Sequence, residues 1–172
     1  MARVTRVSKS RKDHTCSRGG HIIPAGEPYQ HATPGFRGRR IIRCMEHPFR
    51  PSDLTTSAAS APMAAQEAFL DFLDGLDSND DDALDQLESE VETLVSEVEA
   101  YAYDREAALD AWENGNSQLE DLNETAQTAL GEVSDLSVDN RPPSDFDTLD
   151  EYQEHVEEQV DEVRGIVDGL EF

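Results

Sequence analysis

The sequence predicts a mainly α protein: a small β-hairpin module at the N-terminus, followed by a long coiled-coil-like helix and flanking helices. Three observations carry this reading. Both cysteines and four of the five histidines fall within residues 14–47; an apolar heptad runs through residues 84–136; and charge is divided between a basic head and an acidic body.

At 172 residues the chain has room for one small module and an extended element. Residues 1–50 hold eleven of the 14 basic residues against three acidic ones, a net charge of +8, and the remainder carries −32. This asymmetry points to a basic part that meets polyanions and an acidic part that repels them. Hydrophobic residues make up 37% of the chain and aromatics 6%, too few for one large core but enough for an elongated helical body. The dense acidic residues and the scarcity of lysine (Lys9 and Lys12) fit either a halophilic host or an arginine-coding genome. No apolar run reaches the roughly 20 residues of a membrane span, and no apolar segment follows the basic N-terminus. The expectation is an intracellular (cytoplasmic) or virion location, no membrane contact, and reduced thiols that serve better as metal ligands than as a disulfide.

In chain order, residues 1–12 alternate basic and small residues without a core pattern and are expected to form a basic arm, either simply flexible or contacting phosphates through Arg3, Arg6, Lys9, Arg11 and Lys12. Residues 13–50 have the texture of a metal-held β module. Cys16-Ser17-Arg18-Gly19-Gly20-His21 reads as a tight turn with two glycines free to take positive φ. Ile22-Ile23 leads into a Pro24-Ala25-Gly26-Glu27 turn, residues 29–33 form a short strand, Pro34-Gly35 and Gly38 mark a second turn, and residues 39–43 approach Cys44 as a strand.

Zinc takes about four thiolate or imidazole ligands, usually as two close pairs separated by a loop. Cys44 and His47 make one pair at x2 spacing, and Cys16 and His21 the other at x4, with His14 or His31 as substitutes for His21. The expected cofactor is therefore Zn2+ held by Cys16, His21, Cys44 and His47. Four protein ligands leave no open position, so the site is expected to be structural and the protein not an enzyme. Two catalytic patterns fail on the residues. A zinc deaminase needs His-x-Glu and Pro-Cys-x2-Cys, but Ile23 follows His21 at the critical spacing and Cys44 has no cysteine at x2. A His-Asn-His nuclease needs an asparagine, and residues 13–50 contain none.

The runs Lys12-Asp13-His14-Thr15-Cys16, Ile23-Pro24-Ala25-Gly26-Glu27-Pro28-Tyr29, Arg39-Arg40-Ile41-Ile42-Arg43-Cys44 and Arg50-Pro51-Ser52-Asp53-Leu54-Thr55-Thr56-Ser57 resemble uncharacterised zinc-finger-like proteins of tailed bacteriophages. In that pattern a Cys-x2-Cys precedes Ile-x2-Gly-Glu-x-Tyr, a Cys-x2-Cys or Cys-x2-His-like pair follows it, and a helical body comes after. The resemblance covers roughly residues 1–57 and implies a viral, zinc-binding protein without a defined activity. Gly19 stands where the pattern has its second cysteine, and His21 is the replacement.

Residues 51–62 are rich in Ser, Thr, Ala and Pro and read as a linker. Over residues 63–76, Phe69, Phe72, Leu73 and Leu76 form the stripe of a short helix. Residues 81–137 are expected to form the long helix. Its a/d series runs Leu84, Leu87, Val91, Leu94, Val98, Tyr101, Arg105, Ala108, Trp112, Gly115, Leu119, Leu122, Ala126, Ala129, Val133, Leu136, and only Arg105 and Gly115 depart from it. A continuous helix would span about 80 Å. A break is allowed at 114–117, where Ser117 and Glu120 could cap a second helix, but the unbroken heptad phase favours continuity. Apolar residues at e widen the stripe and favour a multi-helix bundle, with a homo-oligomer allowed. Asn140-Arg141-Pro142-Pro143 ends the helix, and a last helix over 147–170 begins at a Thr148/Glu151 capping box.

These features favour a non-enzymatic viral interaction protein. Its zinc module would present Arg37, Arg39, Arg40 and Arg43, with the N-terminal arm, to nucleic acid or an acidic protein surface, and its helices would engage other viral or host proteins. Two other readings follow from the same features: a virion or assembly component whose zinc knuckle only stabilises the fold, and an acidic DNA mimic that inhibits a host protein.

Overall fold

A computed structural model describes residues 2–35, 38–112 and 116–172. The chain divides into two compact units, Met1–Ser60 and Ala61–Phe172.

The first unit is built from five short strands and one turn of helix: β1 (Thr5–Val7), β2 (His14–Thr15), β3 (Ile22–Ile23), β4 (Tyr29–Ala32), β5 (Ile41–Arg43) and α1 (Pro51–Leu54). An antiparallel sheet has the order β1-β4-β5, and β2 and β3 form a separate hairpin. Thr5 stands opposite His31 and Val7 opposite Tyr29, while Gln30 stands opposite Arg43. A core of Cys16, Ile23, Tyr29 and Cys44, flanked by Val7 and Ile42, lies between these elements. Such a core buries little apolar surface, and units of this size commonly gain stability from a metal or disulfides.

The expected flexible arm is not free. Thr5–Val7 pairs with β4, Val7 packs on the core, and the Ala2 N–H donates to the Leu54 carbonyl at 2.7 Å. Three residues are too short to show a strand period, yet they complete the sheet because β4, buried on both sides, needs a second neighbour for its backbone groups. The expected linker at 51–62 likewise carries α1, whose Asp53 accepts from the Arg50 N–H at 2.9 Å.

The second unit contains α2 (Ser60–Gly75, begun by the last residue of the first unit), α3 (Ala83–Asp110), α4 (Ser117–Ser134) and α5 (Leu149–Val167), with a 3-10 turn at Pro143–Asp145. Phe69 and Leu73 of α2, Leu87, Val91, Leu94 and Val98 of α3, Ala129 and Val133 of α4, and Val163 and Val167 of α5 share one core. Side-chain contacts fix the directions. Asn140, just past α4, reaches back to Asp85 and Glu88 at the start of α3 (2.7 and 2.8 Å), so α4 runs antiparallel to α3. The Tyr152 hydroxyl donates to the Asp80 and Asp81 carbonyls, and Phe172 packs edge-on against Tyr101. Thus α5 runs parallel to α3. Gln66 donates to the Val167 carbonyl at 2.7 Å, and Arg164 pairs with Asp74 at 2.9 Å, which sets α2 antiparallel to α5. The result is an up-down-up-down four-helix bundle.

The single long helix expected over 81–137 is therefore two helices that pack on each other. Asn116, not Ser117, caps the second, its side chain accepting from the Gln118 and Leu119 amides. Asn114 and Gly115, on which the allowed break was read, lie outside the described residues. The heptad stripe turns back on itself, and its parts from Leu87 to Val98 and from Ala129 to Val133 are buried against each other and against α2 and α5. Among the described residues no helix is long and apolar enough to cross a membrane.

Candidate metal centre

Two loops carry the four expected ligands. The first, residues 16–21, closes on itself: the Gly20 N–H donates to the Cys16 carbonyl and the Cys16 N–H to the His21 carbonyl, both at 2.9 Å. Gly20 takes φ +66°, a conformation that makes this turn open to glycine. Ser17 ties the loop to β5, its N–H and hydroxyl both donating to the Ile42 carbonyl at 2.8 Å while its oxygen accepts from the Ile42 N–H. The second loop, Cys44-Met45-Glu46-His47, leaves β5 and is held by buried Gln30, whose amide donates to the Cys44 carbonyl at 3.2 Å.

The result places Cys16, His21, Cys44 and His47 together, with their donor atoms all within 4.8 Å of one another. His47 Nδ1 lies 3.5 Å from Cys16 Sγ and 3.3 Å from Cys44 Sγ. A tetrahedral ion with bonds of about 2.3 Å to sulfur and about 2.0 Å to nitrogen separates such atoms by about 3.5 Å. The two Sγ–Nδ1 distances fit that figure, and no two of the four donor atoms are more than 4.8 Å apart. Cys16 is fully buried and Cys44 nearly so, whereas His21 is exposed. The two thiols are free.

Cys16 is prepared to be a thiolate. Burial alone would raise its pKa, but the backbone N–H groups of Cys44, Gly19 and Arg18, with the contact to His47, outweigh burial and bring it from 9.0 to about 6. Metal ligation requires that deprotonated form.

Gly19 has a different part from the one its neighbour plays. Its φ is not positive, but a β-carbon there would lie 2.6 Å from His21 Nδ1 and 2.6 Å from His47 Cε1. The two imidazoles, 5.4 Å apart at their centroids, occupy the space that a side chain at residue 19 would need. The alternative ligands stay outside. His14 packs on the Tyr29 ring at 4.6 Å, and His31 sits on β4 near the same ring, its pKa pushed down by burial and then by Arg40.

The basic residues separate into groups. Arg3, Arg6, Lys9, Arg11, Lys12 and Arg39 are exposed. Arg40 is exposed but tethered, donating to the Tyr29 hydroxyl at 3.2 Å. Arg39 and Arg40 line a groove of about 640 Å³ with Thr15, Ser17 and Ile41. Arg43, expected among the contact residues, is 7% exposed. It pairs with Asp53 at 2.5 Å, donates to the Pro48 carbonyl at 3.0 Å and lies over the Phe49 ring. It is a structural residue that ties the metal loop to α1, because the inward face of β5 leaves its guanidinium no path to solvent. Arg37 lies outside the described residues.

Reasoning on the sequence missed Ser17, Gln30 and Asp53 as supports. Only Asp53 left a trace there, as the carboxylate three residues into a helix that starts with Pro51.

Together these features define a class: a small sheet module with a Cys2His2 cluster joined to a four-helix bundle. No known protein family, curated protein or solved structure matches the chain.

Proposed function

We propose that the Cys16, His21, Cys44 and His47 cluster holds one zinc ion as a closed structural centre, and that the module around it is a non-enzymatic interaction head for a polyanion. The observation that carries the reading is the convergence of four donor atoms of zinc-preferring type, two of them at tetrahedral edge lengths from His47. With all four positions taken by protein, the ion supplies folding energy and no reactive water. The exposed Arg39 and Arg40, together with the exposed Arg3, Arg6 and Lys9, give the head its charge for contacting nucleic acid or an acidic surface. The resemblance to phage zinc-finger-like proteins is the support for a viral setting.

Elemental analysis of the purified protein tests the metal. One equivalent of zinc is expected, and Cys44→Ser should lose it. Less than about half an equivalent, or unchanged zinc in that variant, would refute the site. For the head, Arg39→Glu with Arg40→Glu should weaken binding to duplex DNA and flatten its salt dependence by about one unit of slope for each phosphate no longer neutralised. Unchanged affinity would leave the centre purely structural.

A further inference from the structure

The helical bundle stops short of the end of its longest hairpin. The C-terminal segment covers α3 as far as Tyr101, where Phe172 packs against the ring. Beyond Ala102 on α3 and before Ala126 on α4, no described residue is buried. The heptad stripe nonetheless continues through this tip, and it leaves large apolar groups in water: Trp112 is 53% exposed and Leu122 38%.

The sequence around these exposed apolar groups is anionic. Residues 103–124 contain seven acidic residues and a single base, Arg105. Asp121 and Glu124, on either side of Leu122 in sequence, also line a groove of about 410 Å³ between α4 and the C-terminal end of α5, where Glu132 and Glu171 join them. Apolar side chains rimmed by carboxylates suit a ligand with one apolar and one cationic face. The helical unit of a second copy is a poor occupant, because residues 61–172 carry 34 acidic residues against three arginines and would meet the same charge.

We infer that the distal half of the α3–α4 hairpin is a docking surface for a cationic amphipathic helix of a partner protein. Trp112 and Leu122 take its apolar face, and Asp121, Glu124, Glu132 and Glu171 take its arginines and lysines. The Trp112 ring also offers a face to a guanidinium.

Trp112 is the chain's single tryptophan and reports directly on this surface. Full-length protein is titrated with a synthetic helix of leucine, lysine and arginine about five turns long, and with a peptide of the same composition whose order abolishes the apolar face. The expected result is a blue shift of Trp112 emission with the amphipathic peptide, at least about tenfold weaker binding in Leu122→Ser, and weaker, less salt-sensitive binding in Asp121→Asn with Glu124→Gln. The carboxylate variant changes only exposed residues, so it tests the surface even where Leu122→Ser lowers stability. Equal affinity for the scrambled peptide would reduce the tip to an unspecific polyanion and overturn the inference. So would an unshifted emission, or a dimer in sedimentation that Leu122→Ser dissolves, since the occupant would then be a second copy.

Discussion

Gly19 lies so close to His47 that a single added methyl group would sit 2.6 Å from the imidazole Cε1. The His21 ring stands equally close, its Nδ1 2.6 Å from the same point. Gly19→Ala should therefore push both imidazoles off the cluster and weaken metal binding by about 10- to 100-fold, the range seen when ligand orientation is disturbed. Competition with a chromogenic chelator measures this. The helical circular dichroism of residues 61–172 should stay unchanged, which separates a damaged centre from a misfolded protein.

In metal-free protein, the Cys16 thiolate absorbance near 240 nm should titrate around pH 6, not around 9.0, because amides of Cys44, Gly19 and Arg18 stabilise the anion against the cost of burial. A pKa depressed by folding means that the unfolded chain binds more protons between the two values. The contribution to stability is thus complete above about pH 9, declines as pH falls, and is gone below about pH 6. Denaturation of the metal-free first unit across that window should show the decline, and Cys16→Ser should remove it.

The Arg43–Asp53 pair gives a sharp contrast with Arg39. Asp53→Asn should cost the first unit about 2 kcal/mol, because it leaves a guanidinium with 9% side-chain exposure short of its anion. Arg39→Gln should leave stability within about 0.5 kcal/mol, since nothing buried depends on it. Urea unfolding followed at a first-unit probe distinguishes the two.

On the hairpin, Arg105 of α3 has a buried Nε without a hydrogen-bond partner, and Asn123 of α4 has a buried Oδ1 in the same condition. One is a donor and the other an acceptor, yet they are not bonded to each other. Arg105→Met combined with Asn123→Leu should raise stability by about 1–2 kcal/mol by removing two unsatisfied buried groups. Thermal unfolding at fixed salt would show the gain as a higher Tm, and a lower Tm would mean that the polar layer holds the hairpin's register.

The grouping of the four donor residues was legible because it depends on short-range spacing: a turn of four intervening residues can bring Cys16 and His21 to one point, and two intervening residues can do so for Cys44 and His47. The helices were legible for the same reason, their stripes repeating within a few turns. The reversal between α3 and α4 was not. A heptad stripe faces inward whether the helix continues beside a partner or folds back on itself, so Leu94 and Val133 are equally apolar in both arrangements. Arg43 was misread because the sequence shows a charge but not the carboxylate ten residues away that neutralises it. Thr5–Val7 was missed because three residues with a mixed pattern acquire meaning only through the strand opposite.

Ser17 has one more consequence, for how the protein survives at high concentration. By engaging both backbone groups of Ile42, it seals the outer edge of β5 there against the approach of another extended chain. The other rim of that sheet is β1, and a stray strand arriving at it meets Arg3, Arg6 and Lys9 in close succession. One margin is closed at Ile42 by a hydroxyl and the other is lined by positive charge, two features that oppose edge-to-edge pairing of a three-stranded sheet.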